Sequence, residues 1–249
     1  MNIHSISIAG VRVDVNSKEE IMAELHRIIQ EKKKATFAYV NAHAFNLASE
    51  LPWFKQFIQN SDVVVADGQG IRLACWLLRK TIPTHLPLTK WIWEILQTCE
   101  EKNYSVFFLG GQPKVVDIAA NNVLQTFPRL KLAGIYHGYF EKCKGESDKI
   151  IQTINDATPD LLLVAFGMPM QERWISDNLS QLRVHAVFPV GGCIDELAGK
   201  RMHVPFGVRR LGFEWAWRFA QEPRRLFKRY ILGNPMFIWR VLYESFKHE

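Results

Sequence analysis

A carboxylate at the point where an apolar strand gives way to a glycine turn can take a proton from a substrate hydroxyl. Asp67 is placed that way, after Val63-Val64-Val65-Ala66 and before Gly68-Gln69-Gly70. It is the first candidate for a general base. A turn or a helix N-cap also favours Asp at such a position, and spacing alone leaves both roles open. Four other apolar runs end in polar or glycine-rich turns. Val40 leads into Asn41-Ala42-His43, and Leu109 into Gly110-Gly111-Gln112. Phe166 leads into Gly167-Met168-Pro169-Met170-Gln171-Glu172, and Val190 into Gly191-Gly192. Glycines in such turns let backbone N–H groups and helix N-termini come close to a phosphate. Gly68, Gly110, Gly111, Gly167, Gly191 and Gly192 are therefore candidate nucleotide contacts. None of these turns is G-x-G-x-x-G after a strand and none is a Walker A lysine loop, so ordinary dinucleotide and P-loop sites are excluded. Asn41 can bind a polar ligand, although Asn also suits a turn. Gln171 can hydrogen-bond a ligand or face solvent, and Glu172 can join it or simply occupy a first helical turn. Asp195-Glu196 follow Gly192 in what reads as a short helix.

The eight histidines form no H-E-x-x-H pattern, and there is no Asp-x-Asp. No metal and no cofactor are expected. Cys75, Cys99, Cys143 and Cys193 are scattered without metal or disulfide spacing, and read as reduced thiols of a cytoplasmic protein.

The turns need a frame to bring them together. Candidate strands are Thr36–Val40, Asp62–Ala66, Ser105–Leu109, Leu130–Ile135, Asp160–Phe166 and His185–Val190. The N-terminal Met-Asn-Ile-His-Ser-Ile-Ser-Ile alternates like a further strand and is not expected to be a signal peptide. Amphipathic segments lie between the strands. Ser17 and Glu20 form a capping-box signature for a helix to about Gln30; others cover Gly70–Arg79, Trp91–Lys102, Pro113–Gln125, Lys149–Asn155 and Gln171–Asn178. Continuous apolar strands alternating with helices predict an α/β fold, a Rossmann-like parallel sheet flanked by helices on both faces. Ligands of such sheets bind beyond the carboxyl ends of the strands, where all the candidate residues fall.

Strand signals stop near residue 206, and three helices are expected: Gly207–Ala220, Pro223–Leu232 and Pro235–Phe246. The chain therefore divides into an α/β body, 1–205, and a helical appendage, 206–249. Positions 200–249 carry eleven Lys/Arg against four Glu, and eleven of the thirty aromatic residues. That segment is net +7, so the formal charge of +6 for the whole chain belongs to its end. Arginine beside tryptophan and phenylalanine suits a helix lying on anionic lipid. It also suits stacking on nucleic acid; the membrane reading is favoured. No apolar run approaches the roughly 18 residues of a membrane span.

Taken in order, the motifs resemble one family. They are Asn41-Ala42-His43, Ala66-Asp67-Gly68-Gln69-Gly70, Phe108-Leu109-Gly110-Gly111, His137-Gly138-Tyr139-Phe140, Phe166 to Glu172, Val190-Gly191-Gly192, and Leu211-Gly212-Phe213-Glu214-Trp215 with Arg218 and Glu222-Pro223-Arg224-Arg225. The set resembles the WecG/TagA/CpsF glycosyltransferases over about residues 5–232. The resemblance implies transfer of a sugar from a UDP-sugar to a sugar on a polyprenyl diphosphate, with inversion and without a metal, at the cytoplasmic face of the membrane. It makes Asp67 the base and places Gln171 and Asn41 at the substrate. It makes Arg210, Arg218, Arg224 and Arg225 the groups that complete the site and meet the lipid diphosphate. With the composition of the tail, an anionic membrane surface is the expected partner and nucleic acid is not, and a homo-oligomer is left open.

Two stretches depart from the family pattern. Where many members have R-V-x-G-x-D, this chain has His85-Leu86-Pro87-Leu88-Thr89-Lys90, and R-A-P is replaced by His203-Val204-Pro205. Changes of charge and size beside a pocket alter which sugar fits. They shift the expected donor from UDP-N-acetylmannosamine, the alternative, to UDP-glucose in exopolysaccharide assembly.

Overall fold

A computed structural model of the chain describes residues 3–142, 145–200 and 214–247. Two short strands, β1 (Ser5–Ile8) and β2 (Val11–Asp14), form an antiparallel hairpin. Ser17 then caps α1 (Lys18–Gln30). Its hydroxyl accepts from the Glu20 N–H while the Glu20 carboxylate accepts from the Ser17 N–H. Six parallel strands follow: β3 (Ala35–Val40), β4 (Val63–Ala66), β5 (Ser105–Gly110), β6 (Lys131–Tyr136), β7 (Leu161–Ala165) and β8 (Ala186–Pro189). Their order across the sheet is β4-β3-β8-β7-β5-β6. Each matches its predicted span to within one residue at either end.

Between the strands run α2 (Ala42–Glu50), α3 (Pro52–Asn60), α4 (Gln69–Leu77), α5 (Leu88–Glu101), α6 (Val115–Thr126), α7 (Glu146–Ala157), α8 (Met170–Asn178) and α9 (Cys193–Leu197). Side chains alternate across the sheet. Phe37, Val65, Phe108 and Phe188 pack with α1, α5, α6 and α9, whereas Ala38, Val64, Phe107 and Val187 pack with α2, α3, α7 and α8. Helices α2 and α3 and strand β2 are not anticipated by the sequence pattern. Pro52 occupies the first turn of α3, where its missing N–H has no helical partner to lose.

The hairpin guards the sheet edge at β4. Asp14, only 2% exposed, accepts from the Val64 N–H at 2.7 Å, and Arg12 pairs with Asp14 while reaching the Ser61 and Asp62 carbonyls.

The C-terminal segment contains α10 (Glu214–Gln221), α11 (Pro223–Phe227), a π-helical turn (Lys228–Leu232) and α12 (Gly233–Lys247). The π turn falls inside what periodicity predicts to be one helix. Helix α12 returns to the body against α2 and α4. Phe237 and Val241 are buried with the residues on the α2, α3, α7 and α8 side of the sheet, and the Phe237 ring meets Phe45 edge-on at 5.0 Å. Arg240 donates to the Asn46 backbone and side-chain oxygens and to Glu50. Among the described residues, no helix is long and apolar enough to cross a membrane.

Candidate active site

The carboxyl ends of β4, β3, β8, β7 and β5 open in that order onto one cleft of about 2870 Å³. Asp67, Asn41, Gly191, Gly167 and Gly111 line it, one from each strand end, with Gly68, Gln171 and Gly192 beside them. The Asp67 N–H donates to the Val40 carbonyl at 2.8 Å, which ties the β4 end to the β3 end. The Asn41 side-chain oxygen accepts from the N–H groups of His43 and Ala44, both at 3.0 Å, so Asn41 is the N-cap of α2 as well as part of the wall. Burial, with Arg229 nearby, pushes His43 down to about 4. It is neutral at pH 7.

Gln171 is neither exposed nor open to a ligand at its amide oxygen. It is 1% exposed, and that oxygen accepts from Gly167 N–H at 3.2 Å and from Gly191 N–H at 3.0 Å. One side chain therefore fastens the turn after β7 to the turn after β8. Its nitrogen donates to Glu172 at 2.8 Å. Glu172 lies beneath the cleft wall, 2% exposed, and its second carboxyl oxygen has no partner. Burial pushes this carboxyl up to about 7, against the lowering effect of the Gln171 hydrogen bond.

Three of the glycine N–H groups expected to be open to a phosphate are already bonded within the chain. Gly167 and Gly191 give theirs to Gln171, and Gly111 donates to the Ala165 carbonyl at 3.2 Å. Gly110 lies behind the cleft wall. A Cβ there would stand 2.4 Å from the Ala165 carbonyl oxygen, so the glycine permits two backbones to touch. The N-terminus of α4 differs. It starts at Gly68, whose φ is +87°, with no side-chain cap, so its first N–H groups are those a phosphate can meet.

The sequence model of the glycosyl transferase WecG/TagA/CpsF family matches residues 6–249. The chain belongs to this family. Two relatives from Staphylococcus aureus, strains MW2 and NCTC 8325, are 24% identical to it over 242 residues, 96% of this chain and 93% of theirs. Each is an N-acetylglucosaminyldiphosphoundecaprenol N-acetyl-beta-D-mannosaminyltransferase.

In this glycosyltransferase the basic tail is distributed in a way its sequence does not reveal. Arg210 lies outside the described residues, as do the side chains of Arg218 and Arg225. Arg224 lines a surface depression with Pro223, Phe227 and Lys228 and does not line the main cleft. Lys228, which borders both, and Arg229 line the main cleft. They sit in the π turn, which rotates them relative to a continuous α-helix, so a 3.6-residue period could not have placed them. Lys142 is also invisible to the sequence reading. Its ammonium donates to the Gly138 and Phe140 carbonyls and lies 4.6 and 4.7 Å from the Phe140 and Phe166 ring centres. The family departures at His85, Leu88 and Lys90 border the cleft. Asp195 does too. Among the described residues, no group of three or more His, Cys, Asp or Glu could hold a metal ion.

Proposed function

We propose that this enzyme transfers N-acetylmannosamine from its UDP derivative to N-acetylglucosamine on a polyprenyl diphosphate, with inversion and without a metal. The observation that carries the reading is Asp67, set in the cleft at a strand end beside the uncapped N-terminus of α4. Asp67 takes the proton from the acceptor hydroxyl as the oxygen attacks the anomeric carbon from the face opposite UDP. The carbon–oxygen bond to UDP breaks, and the diphosphate takes the electron pair. Its charge is met by backbone N–H groups of α4 and by Lys228 and Arg229, which act as preorganised donors. The family resemblance adds the tail arginines Arg210, Arg218 and Arg225 to this set.

The names of the relatives support N-acetylmannosamine rather than the glucose suggested by His85, Leu88 and Lys90. Those three residues remain the places where a change of donor would be made. The enzyme works at the cytoplasmic face of the membrane. Trp215, Phe227 and Trp239 are exposed among tail cations, and each Lys or Arg near anionic lipid is worth about 1 kcal/mol. A panel of UDP-sugars with an N-acetylglucosaminyl-diphosphate lipid, scored by UDP release, tests the reading. N-acetylmannosamine should be the preferred donor; faster transfer of glucose would reverse the choice.

A further inference from the structure

The exposed face of α4 changes chemistry along its length. Gln69 and Arg72 occupy its first half, Leu73 and Trp76 its second, and all four line the cleft. At 1.5 Å per residue, Arg72 lies about 4.5 Å and Trp76 about 10.5 Å along the axis from Gln69. Asp67 stands just before this row. The order from the strand end outward is carboxylate, cation, apolar side chain. Leu73 is 42% exposed and Trp76 65%.

The π turn adds Lys228 and Arg229, followed in the chain by Ile231 and Leu232, both exposed, and all four line the same cleft. Helix α12, which continues from the π turn, packs against α4. Phe237 of α12 sits where a Cβ on Gly70 would meet its ring at 3.4 Å. Exposed apolar side chains gathered in one cleft beside a polar site are the mark of a binding surface.

Building on the proposed acceptor, we propose that α4 measures it: Arg72 meets the diphosphate, and Leu73 and Trp76 seat the first isoprene units. A polyprenyl-diphosphate sugar has the same linear order as the helix, with its hydroxyl at Asp67, its anion one turn on and its hydrocarbon beyond. An apolar peptide would not call for a cation between the base and the apolar end. One contact of Arg72 goes to Gln69 at 3.5 Å, and a guanidinium has five donors to offer.

The test compares two water-soluble acceptors with the same sugar diphosphate, one carrying a farnesyl chain and one a methyl group, with no bilayer or detergent present. Wild type should favour the farnesyl acceptor in kcat/KM by at least about tenfold. Trp76→Ala should pull that ratio towards one, and Trp76→Phe should restore most of it. Arg72→Gln should lower kcat/KM for both acceptors while keeping the ratio, with UDP binding intact by calorimetry. A ratio near one in wild type, or an unchanged ratio in Trp76→Ala, overturns the proposal and leaves the proposed reaction standing. No transfer to either acceptor by wild type from any UDP-sugar overturns the reaction, and the proposal falls with it.

Discussion

Replacing Glu172 by Gln should make the protein more stable at alkaline pH and leave it nearly unchanged at acid pH. Burial raises the Glu172 carboxyl from its ordinary 4.5 to about 7. A tenfold change in an ionisation constant corresponds to about 1.4 kcal/mol, so ionising this carboxyl in the folded protein is roughly 3 kcal/mol harder than in the unfolded chain. The folded value lies above the unfolded one. The carboxyl's favourable contribution is therefore complete below about pH 4.5 and is lost as pH rises through about 7. Between about pH 5 and pH 8, wild type should lose roughly 2.5 kcal/mol relative to Glu172→Gln, an order-of-magnitude figure from the same linkage. The variant keeps the shape and the acceptor for Gln171 and cannot ionise. Urea unfolding of both proteins across that range measures the difference directly, because every other titrating group is common to them. Parallel curves, with the two stabilities differing by a constant to within about 0.5 kcal/mol, would refute the reasoning. They would mean that Glu172 ionises at its ordinary value and that the buried wall beneath the cleft is wetter than its packing implies.

Asp67→Asn should keep the fold and UDP binding and lower turnover by at least about 100-fold, the usual consequence of losing a general base; near-normal turnover would remove Asp67 from the mechanism. Turnover should survive EDTA, and loss of activity that Mg²⁺ or Mn²⁺ restores would count against the proposed charge stabilisation. Phe237→Ala should destabilise the protein by about 3–5 kcal/mol, as other buried Phe truncations do, because the ring is buried between α2 and α4. Turnover should drop with it, since α12 and the π turn hold one wall of the cleft; a stability change below about 1 kcal/mol would show that α12 is not docked as described.

The sheet was legible because its strands are short apolar runs buried on both faces, as in Val63–Ala66 and Leu161–Ala165, and because each ends in a turn that interrupts the run. Asp67, Asn41, Gly111, Gly167 and Gly191 were legible as a group for the same reason. Their partners were not. Whether the N–H of Gly191 is open depends on the rotamer of Gln171, twenty residues away, and no local pattern encodes that. Glu172 reads as an ordinary first-turn acid because a sequence shows charge but not burial. In the tail, composition reveals the cations and aromatics but not their direction. Arg240 looks like a surface charge in sequence, yet it holds α12 to α2 through Asn46 and Glu50.

The position of β8 bears on how the molecule is made. Strands β3 and β4 form one half-sheet, and β5, β6 and β7 form another; β8 lies between β3 and β7 and pairs with both. A ribosome delivers these halves long before their seam, because Ala186–Pro189 is the last strand of the sheet. Until then each half presents an unpaired edge, and such edges invite association with other chains. Asp67 and Asn41 belong to the first half, Gly111 and Gly167 to the second. A nascent or truncated chain that stops before residue 186 therefore has every strand end but one, and four residues delivered late join the two halves along which the candidate site residues are divided.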